Sequence, residues 1–234
     1  MYDALKAVVP LSNLSGFDPR RVPVESVDAH LPAVQATRLH AASLRARFDA
    51  PPVWTPEFSV EARYSDRSTV AASVLVPIVL RNQPTVLLTQ RTGHLSTHSG
   101  QIAFPGGKHD HQDADLVATA LREAREEVGL SHHFVHVLGA LPVYVTGSAF
   151  VITPVVALVR DGFTLERNVN EVEDMFEVPL EFLMDPANHR WHRHEAQGVA
   201  RHWISMPFHD GTSERFIWGA TAGMLRNLYR FLVA

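Results

Sequence analysis

The 234-residue sequence contains no cysteine. That excludes a disulfide-stapled scaffold, a cysteine-ligated zinc ribbon and a cysteine nucleophile. Long hydrophobic runs are missing too. A membrane-spanning helix needs roughly 18 or more apolar residues, and the longest strong run here is Ala72 to Leu80. Nor is there a surplus of positive charge. The 21 Lys and Arg face 25 Asp and Glu, for a formal net charge of −4, which argues against a dedicated nucleic-acid binder. The first residues carry Asp3 and Lys6 around a short Ala-Val-Val stretch, so no secretory signal peptide is expected. Internal repeats and low-complexity tracts are also absent. What is present, 46% hydrophobic and 20% charged residues, suffices to bury a core without covalent staples. The chain reads as a soluble, cytoplasmic globular protein with neither nucleic-acid nor membrane partner.

Residues 1–35 are rich in Pro, Ser and Asp and read as a leading segment that wraps a core. Thr37 is placed to cap a helix running through Phe48, with Leu39, Leu44 and Phe48 as a partial stripe; Pro51-Pro52 stops it. Residues 73–80 and 85–90 are β-branched, apolar runs separated by Arg-Asn-Gln-Pro and predict a hairpin. Residues 101–104 predict a short strand ending at Pro105-Gly106-Gly107. Over 116–128 Leu116, Ala120, Leu121, Ala124 and Val128 recur at helical spacing; Asp113 or Asp115 can cap the start, and Gly129 ends it. Further strands are predicted at 135–145 and 151–159, a short helix containing Phe182 and Leu183 after Pro179, and a closing helix over 217–232. Strands mixed with a few helices, without regular βαβ alternation, predict an α+β sandwich.

The informative stretch is Arg122-Glu123-Ala124-Arg125-Glu126-Glu127-Val128-Gly129-Leu130. On a helix Glu123, Glu126 and Glu127 share one face. Like charges at that spacing cost roughly 0.2–0.5 kcal/mol per pair when bare. A divalent cation removes the penalty, and hard carboxylate oxygens are what Mg²⁺ or Mn²⁺ prefers. The plain structural alternative is a solvated charged face with Arg122 and Arg125 as ion-pair partners. Against it stands Gly106-Gly107, which opens a polar loop leading straight into this helix. Glycines there let backbone approach a ligand closely, and a carbonyl can join a metal shell. Between Gly106 and Leu130 six acids stand against three bases, a net of −3, so most of the chain's acidity sits in this segment.

This pattern resembles the Nudix hydrolase signature, G-x5-E-x7-R-E-U-x-E-E-x-G-U with U apolar. Arg122, Glu123, Ala124, Glu126, Glu127, Gly129 and Leu130 match its second half. In the first half Gly107 lies one residue too far from Arg122, and the early Glu position falls on Ala114, flanked by Asp113 and Asp115. Upstream, Leu87-Leu88-Thr89-Gln90-Arg91 leads through His98-Ser99-Gly100-Gln101 to Phe104-Pro105-Gly106-Gly107. This is similar to the extra motif of the coenzyme A pyrophosphatase branch, L-L-T-x-R-[SA]-x3-R-x3-G-x3-F-P-G-G, with Thr92 in place of Ser or Ala and Ser96 in place of its second Arg. That branch shares the one-residue displacement. Phe176-Glu177-Val178-Pro179-Leu180 and Ile217-Trp218-Gly219-Ala220-Thr221-Ala222 are similar to it as well. The resemblance covers about residues 70–232. It divides the chain into a Nudix domain over 70–234 and an N-terminal extension, 1–69, packing on or beside it.

The resemblance implies a Nudix-type α/β/α sandwich with a mixed central sheet. It further implies Mg²⁺- or Mn²⁺-dependent hydrolysis of the diphosphate bond of coenzyme A or a derivative. Glu123, Glu126 and Glu127 are then metal ligands, Arg122 orients a neighbouring glutamate, and Gly106 or Gly107 offers a carbonyl to metal. The general base is then one of these three glutamates or a later carboxylate, with Glu171, Glu173 and Glu177 as the candidates. Arg91 either engages substrate phosphates or makes a structural ion pair, and His98 either bonds substrate or orders its loop. The partner is a small-molecule nucleoside diphosphate, and a homodimer is a candidate assembly. Two other readings compete: a diphosphatase acting on ADP-ribose, NADH or an oxidised nucleotide, and a non-catalytic Nudix-fold module. The 14 histidines, including His192 and His194 on one potential strand face, read as scattered surface residues. Arg190, Arg193 and Arg201 are candidates for the 3′-phosphate of coenzyme A, and Trp191, Trp203 and Trp218 read as core or interface.

Overall fold

Residues 74–79 are apolar at every position, so a strand built from them has no polar face and must be covered on both sides. The computed structural model, which describes residues 17–63, 65–93, 100–196 and 199–234, has that arrangement. In chain order the elements are β1 (Val24–Val27), α1 (Ala41–Asp49), β2 (Val70–Val79), β3 (Thr85–Arg91), β4 (Ile102–Ala103), β5 (Gly106–Lys108) and α2 (Leu116–Val128). After them come β6 (Val135–Ala140), β7 (Tyr144–Val145), β8 (Phe150–Val159), β9 (Val172–Pro179) and the one-turn α3 (Leu180–Leu183). A hairpin of β10 (Arg190–Ala196) and β11 (Val199–His209), then β12 (Glu214–Trp218) and α4 (Gly219–Val233), completes the fold.

The main sheet is mixed. β2 runs parallel to β8 along its whole length, from Val70 opposite Phe150 to Val79 opposite Val159. β3 is antiparallel to β2 only at Ile78↔Val86 and Val79↔Thr85, then diverges to pair with β4 and β9. The expected hairpin thus opens into a fork, and β5 fills the space beside the start of β2, with Gly107 opposite Ser73. β6 and β7 pair antiparallel with β8. Period-2 alternation then sorts the side chains. Leu75, Val79, Leu87, Val155, Ala157 and Val159 pack with Ala120, Ala124 and Val128 of α2. Their alternates Val76, Ile78, Val86, Leu88, Val156 and Leu158 share the opposite core with Leu225, Leu228 and Tyr229 of α4. Each such side chain contributes roughly 1.5–3 kcal/mol when fully buried. The result is the expected α+β architecture, an α/β/α sandwich with a mixed central sheet.

A second, four-stranded sheet, in the order β1-β10-β11-β12, includes a strand from the chain's beginning. The residues after β1 also lie on the core. Phe48 and Trp54 meet Phe231 with ring centroids 4.7 and 5.4 Å apart, and Glu61 accepts a 2.8 Å hydrogen bond from the Tyr144 hydroxyl.

Four expectations from sequence are corrected. Thr37 does not cap α1: residues Ala36–Leu39 form a 3₁₀ turn, and the helix starts at Ala41 with His40 at its cap position. The single strand expected over 135–145 divides into β6 and β7, because Pro142 has no N–H to give a ladder. Gly106 and Gly107 belong to strand β5 rather than to a loop. The closing helix begins at Gly219, since Ile217 and Trp218 end β12 opposite Met206 and Ser205. Among the described residues no helix is long and apolar enough to cross a membrane.

Candidate active site

The acidic helix is fixed at both ends. Asp115 caps α2, its carboxylate accepting from the Ala118 N–H at 2.8 Å. Gly129 ends it with φ at 70°, a conformation that favours glycine. The last carbonyls of a helix lack partners within it. Here Val128 O accepts from the Glu166 N–H at 3.0 Å, and Glu127 O from the Asn168 N–H at 2.8 Å. The loop after β8 is thereby docked on the end of α2.

Between these ends Glu123 and Glu127 face strand β5. Glu127 is only 3% exposed; its Oε2 accepts from the Gly106 N–H at 3.1 Å, and its Oε1 lies 3.5 Å from Arg91 Nη1. Burial pushes the Glu127 carboxyl up to about 7, against the opposing pull of the Gly106 N–H and Arg91. Burial also raises Glu123, with Arg122 opposing. The strand approaches so closely that a Cβ at Gly107 would fall 2.4 Å from Glu123 Oε1, so only glycine fits without moving the carboxylate. The visible contact from Gly106 to the site runs through its N–H, whereas the sequence pattern assigned it a carbonyl.

Arg122 holds the outer half of the cluster. Its Nε and Nη2 grip Asp113 at 2.9 Å each, and its Nη1 donates to Glu123 at 2.9 Å and to the more exposed Glu126 at 3.0 Å. A further bond reaches Lys108 O at 3.1 Å. The fork-shaped guanidinium suits such multiple donation. The Arg122 fork, helped by the Asp110 N–H and Thr119, holds Asp113 well below the usual carboxylate range. The two aspartates flanking Ala114 therefore divide the work: Asp113 partners Arg122 and Asp115 caps the helix.

Of the three later carboxylates, Glu171 lies on the loop docked on α2, where it accepts from Asn168 Nδ2 at 3.2 Å; its charge adds a minor upward push to Glu123 and Glu127, whose main cause is burial. Glu177 is turned elsewhere, paired with Arg81 at 2.7 Å, and Glu173 is exposed on β9. Arg91 stands beside Glu127, so its ion pair and its nearness to the site coexist. His98 lies outside the described residues. Arg190 and Arg193 on β10 and Arg201 on β11 belong to the second sheet, and Arg193 pairs with Glu195 at 3.0 Å.

The reading of the histidines as surface residues fails at two positions. His189 is fully buried, bonded to Leu183 O and to Arg226, and His192 is buried beside Ser205 and Trp203. Trp203 is itself buried, while Trp191 is half-buried and donates to Asp28 at 2.8 Å. Sequence reasoning also missed the Arg226 cluster and the Asn168 loop. A polar Asn-Val-Asn-Glu run between two strands was the only signal for that loop.

Among the described residues no three His, Asp or Glu side chains converge closely enough to hold one cation by themselves. Arg122 Nη1 stands between Glu123 and Glu126. The donor set nevertheless fits a hard divalent ion. Two raised, partly compensated carboxylates meet a strand of close-approaching glycines, whereas the buried, unpartnered Arg91 Nε beside them calls for an anionic acceptor.

Residues 70–206 match the family model described as NUDIX domain. Over 160 residues the chain is 45% identical to the uncharacterized Nudix hydrolase NudL of Yersinia enterocolitica, covering 67% of this chain and 78% of that protein. The uncharacterized Nudix hydrolase NudL of Yersinia pestis strain Pestoides F is 39% identical over 167 residues, covering 71% and 82%. Among solved structures, a MutT/nudix family protein from Enterococcus faecalis aligns with a TM-score of 0.43 at 14% identity, over 82% of this chain and 74% of that one. A C. elegans Ap4A hydrolase aligns with a TM-score of 0.41 at 21% identity, over 51% and 86%.

Proposed function

This chain belongs to the Nudix family and is a pyrophosphatase-type hydrolase of nucleoside diphosphate derivatives, and on that premise we propose that its substrate is coenzyme A or one of its derivatives. The observation that carries this reading is the position of Arg91. The Leu87-Leu88-Thr89-Gln90-Arg91 motif lies on β3, and its arginine stands 3.5 Å from Glu127 with Nε still unpartnered. A guanidinium so placed is suited to a substrate phosphate next to the acidic helix.

The family's divalent ion, here Mg²⁺ or Mn²⁺, would be held by Glu123, Glu126 and Glu127 with the Gly106 carbonyl, and when bound would supply positive charge against the diphosphate and lower the pKa of the attacking water. Glu171 takes a proton from the attacking water. The water oxygen forms a bond to one phosphorus as the bridging P–O bond breaks, giving 4′-phosphopantetheine and adenosine 3′,5′-bisphosphate. Arg122 holds Glu123 and Glu126 in place, and Arg91 orients the phosphates. The test is incubation of the protein with Mg²⁺ or Mn²⁺ and, separately, coenzyme A, ADP-ribose, NADH and nucleoside triphosphates, with products identified by mass. Phosphopantetheine release is expected. Preferential turnover of ADP-ribose or NADH would move the substrate class, and no turnover of any diphosphate would favour a binding module.

A further inference from the structure

The loop between β8 and β9 is tied to the acidic helix through one residue. The Asn168 N–H donates to Glu127 O at 2.8 Å, so its backbone is fixed to the most buried acid of the site. Its side-chain amide faces the other way along the loop: Nδ2 donates to Glu171 Oε1 at 3.2 Å, and Oδ1 accepts from the Asn170 N–H at 3.1 Å. The Asn170 N–H can only donate and a carboxylate only accepts, so the amide orientation is determined by its neighbours. Asn168 O in turn accepts from the N–H groups of Glu171 and Val172 at 3.0 and 2.8 Å. The far side of the loop is stitched to the substrate motif. Thr92, next to Arg91, donates its N–H to Glu171 O at 3.0 Å and its hydroxyl to Asn170 O at 3.3 Å.

We infer that Asn168 is a positioning residue, which sets the Glu171 carboxylate relative to Glu127 and thereby aims the base at the attacking water. The inference rests on the reading of the acidic cluster as the hydrolytic site. Geometry carries the link: the Asn168 N–H holds Glu127 O while its Nδ2 holds Glu171 Oε1, so the placement of one carboxylate is tied to the backbone of the other.

The test is a double-mutant cycle of N168A and E171Q. Thermal unfolding is followed in each variant, because the Asn168 N–H that caps α2 is retained. E171Q is expected to lower kcat by about a hundredfold, as loss of a general base does. N168A is expected to lower kcat by about tenfold, the order found for residues that orient a functional group, with KM unchanged. On the E171Q background N168A should then have no further effect. Multiplying effects, or an N168A enzyme equal to wild type, would overturn the inference. If N168A folds poorly, N168D keeps the Asn170 bond while repelling Glu171, and the same cycle decides. Wild-type turnover judges the site reading separately. Should the wild type hydrolyse no diphosphate, the site reading fails and the inference, which rests on it, is overturned with it.

Discussion

The cluster around Arg226 and the cluster around Glu127 both hold charge away from water, but only one of them is fully paired. Arg226, 2% exposed, meets Asp28 at 2.9 Å, Glu57 at 2.8 Å and His189 Nδ1 at 2.9 Å. His189 passes its other ring nitrogen to Leu183 O at 2.9 Å, and Asp28 also accepts from Trp191. Each donor of that network faces an acceptor. Glu127, equally buried, has one backbone N–H and a cation at 3.5 Å, beside an arginine nitrogen with no partner. An incompletely paired buried charge costs several kcal/mol. A protein that completes one cluster and leaves the other open tells where a ligand's charge belongs.

The contrast can be broken most severely at Glu127. E127Q keeps the Gly106 bond and is expected to lower kcat by at least a hundredfold while leaving the fold intact, checked by product assay and circular dichroism. R226A should do the reverse. It is expected to cost about 3–5 kcal/mol in denaturant unfolding, as loss of one partner from a buried pair does, with turnover per folded molecule unchanged.

The pH dependence of stability sharpens the contrast further, measured with a chelator present. Glu127 sits at about 7 in the fold, above its ordinary 4.5, so the folded state binds the extra proton between these values and gains stability as pH falls from 7 to 4.5. Burial holds His189 down at about 4, below its ordinary 6.5, so the unfolded state binds the proton and stability is lost as pH falls from 6.5 to 4. Each effect is on the order of 3 kcal/mol, and over 4.5–6.5 they oppose. The expected outcome is a nearly flat contribution in the wild type and a steep acid destabilisation in E127Q. A flat E127Q curve would refute the pairing of opposites. The smallest effect is at the helix start, where D115A should cost about 1 kcal/mol by removing the cap, with little change in KM.

The acidic helix was legible in sequence because its information is local: the 3.6-residue period, an aspartate before it, a glycine after it and three carboxylates on one face. The layered core was legible for a similar reason, since residues 74–79 have no polar face. Partners distant in the chain were not. Nothing near Asn168 announces that its N–H will meet Glu127, and nothing near His189 announces Arg226, because both depend on how strands are ordered in the sheets. Trp218 was misassigned by a neighbouring helix pattern that its pairing with Ser205 overrides. Asp113 and Asp115 were both visible as candidates. Only the fold decided which of them takes Arg122 and which takes the helix end.

The Tyr229 hydroxyl donates to Pro32 O across 197 residues of sequence, in the same region where β1 lies against β10 and Arg226 meets Asp28. During synthesis at roughly 5–20 residues per second, domains fold as units once their parts have emerged. Here the early segment has no completed surface to fold against until α4 leaves the ribosome. Its apolar residues must wait for that helix. Assembly by such remote contacts is slow, and the early segment is most open to proteolysis and chaperone capture before α4 arrives.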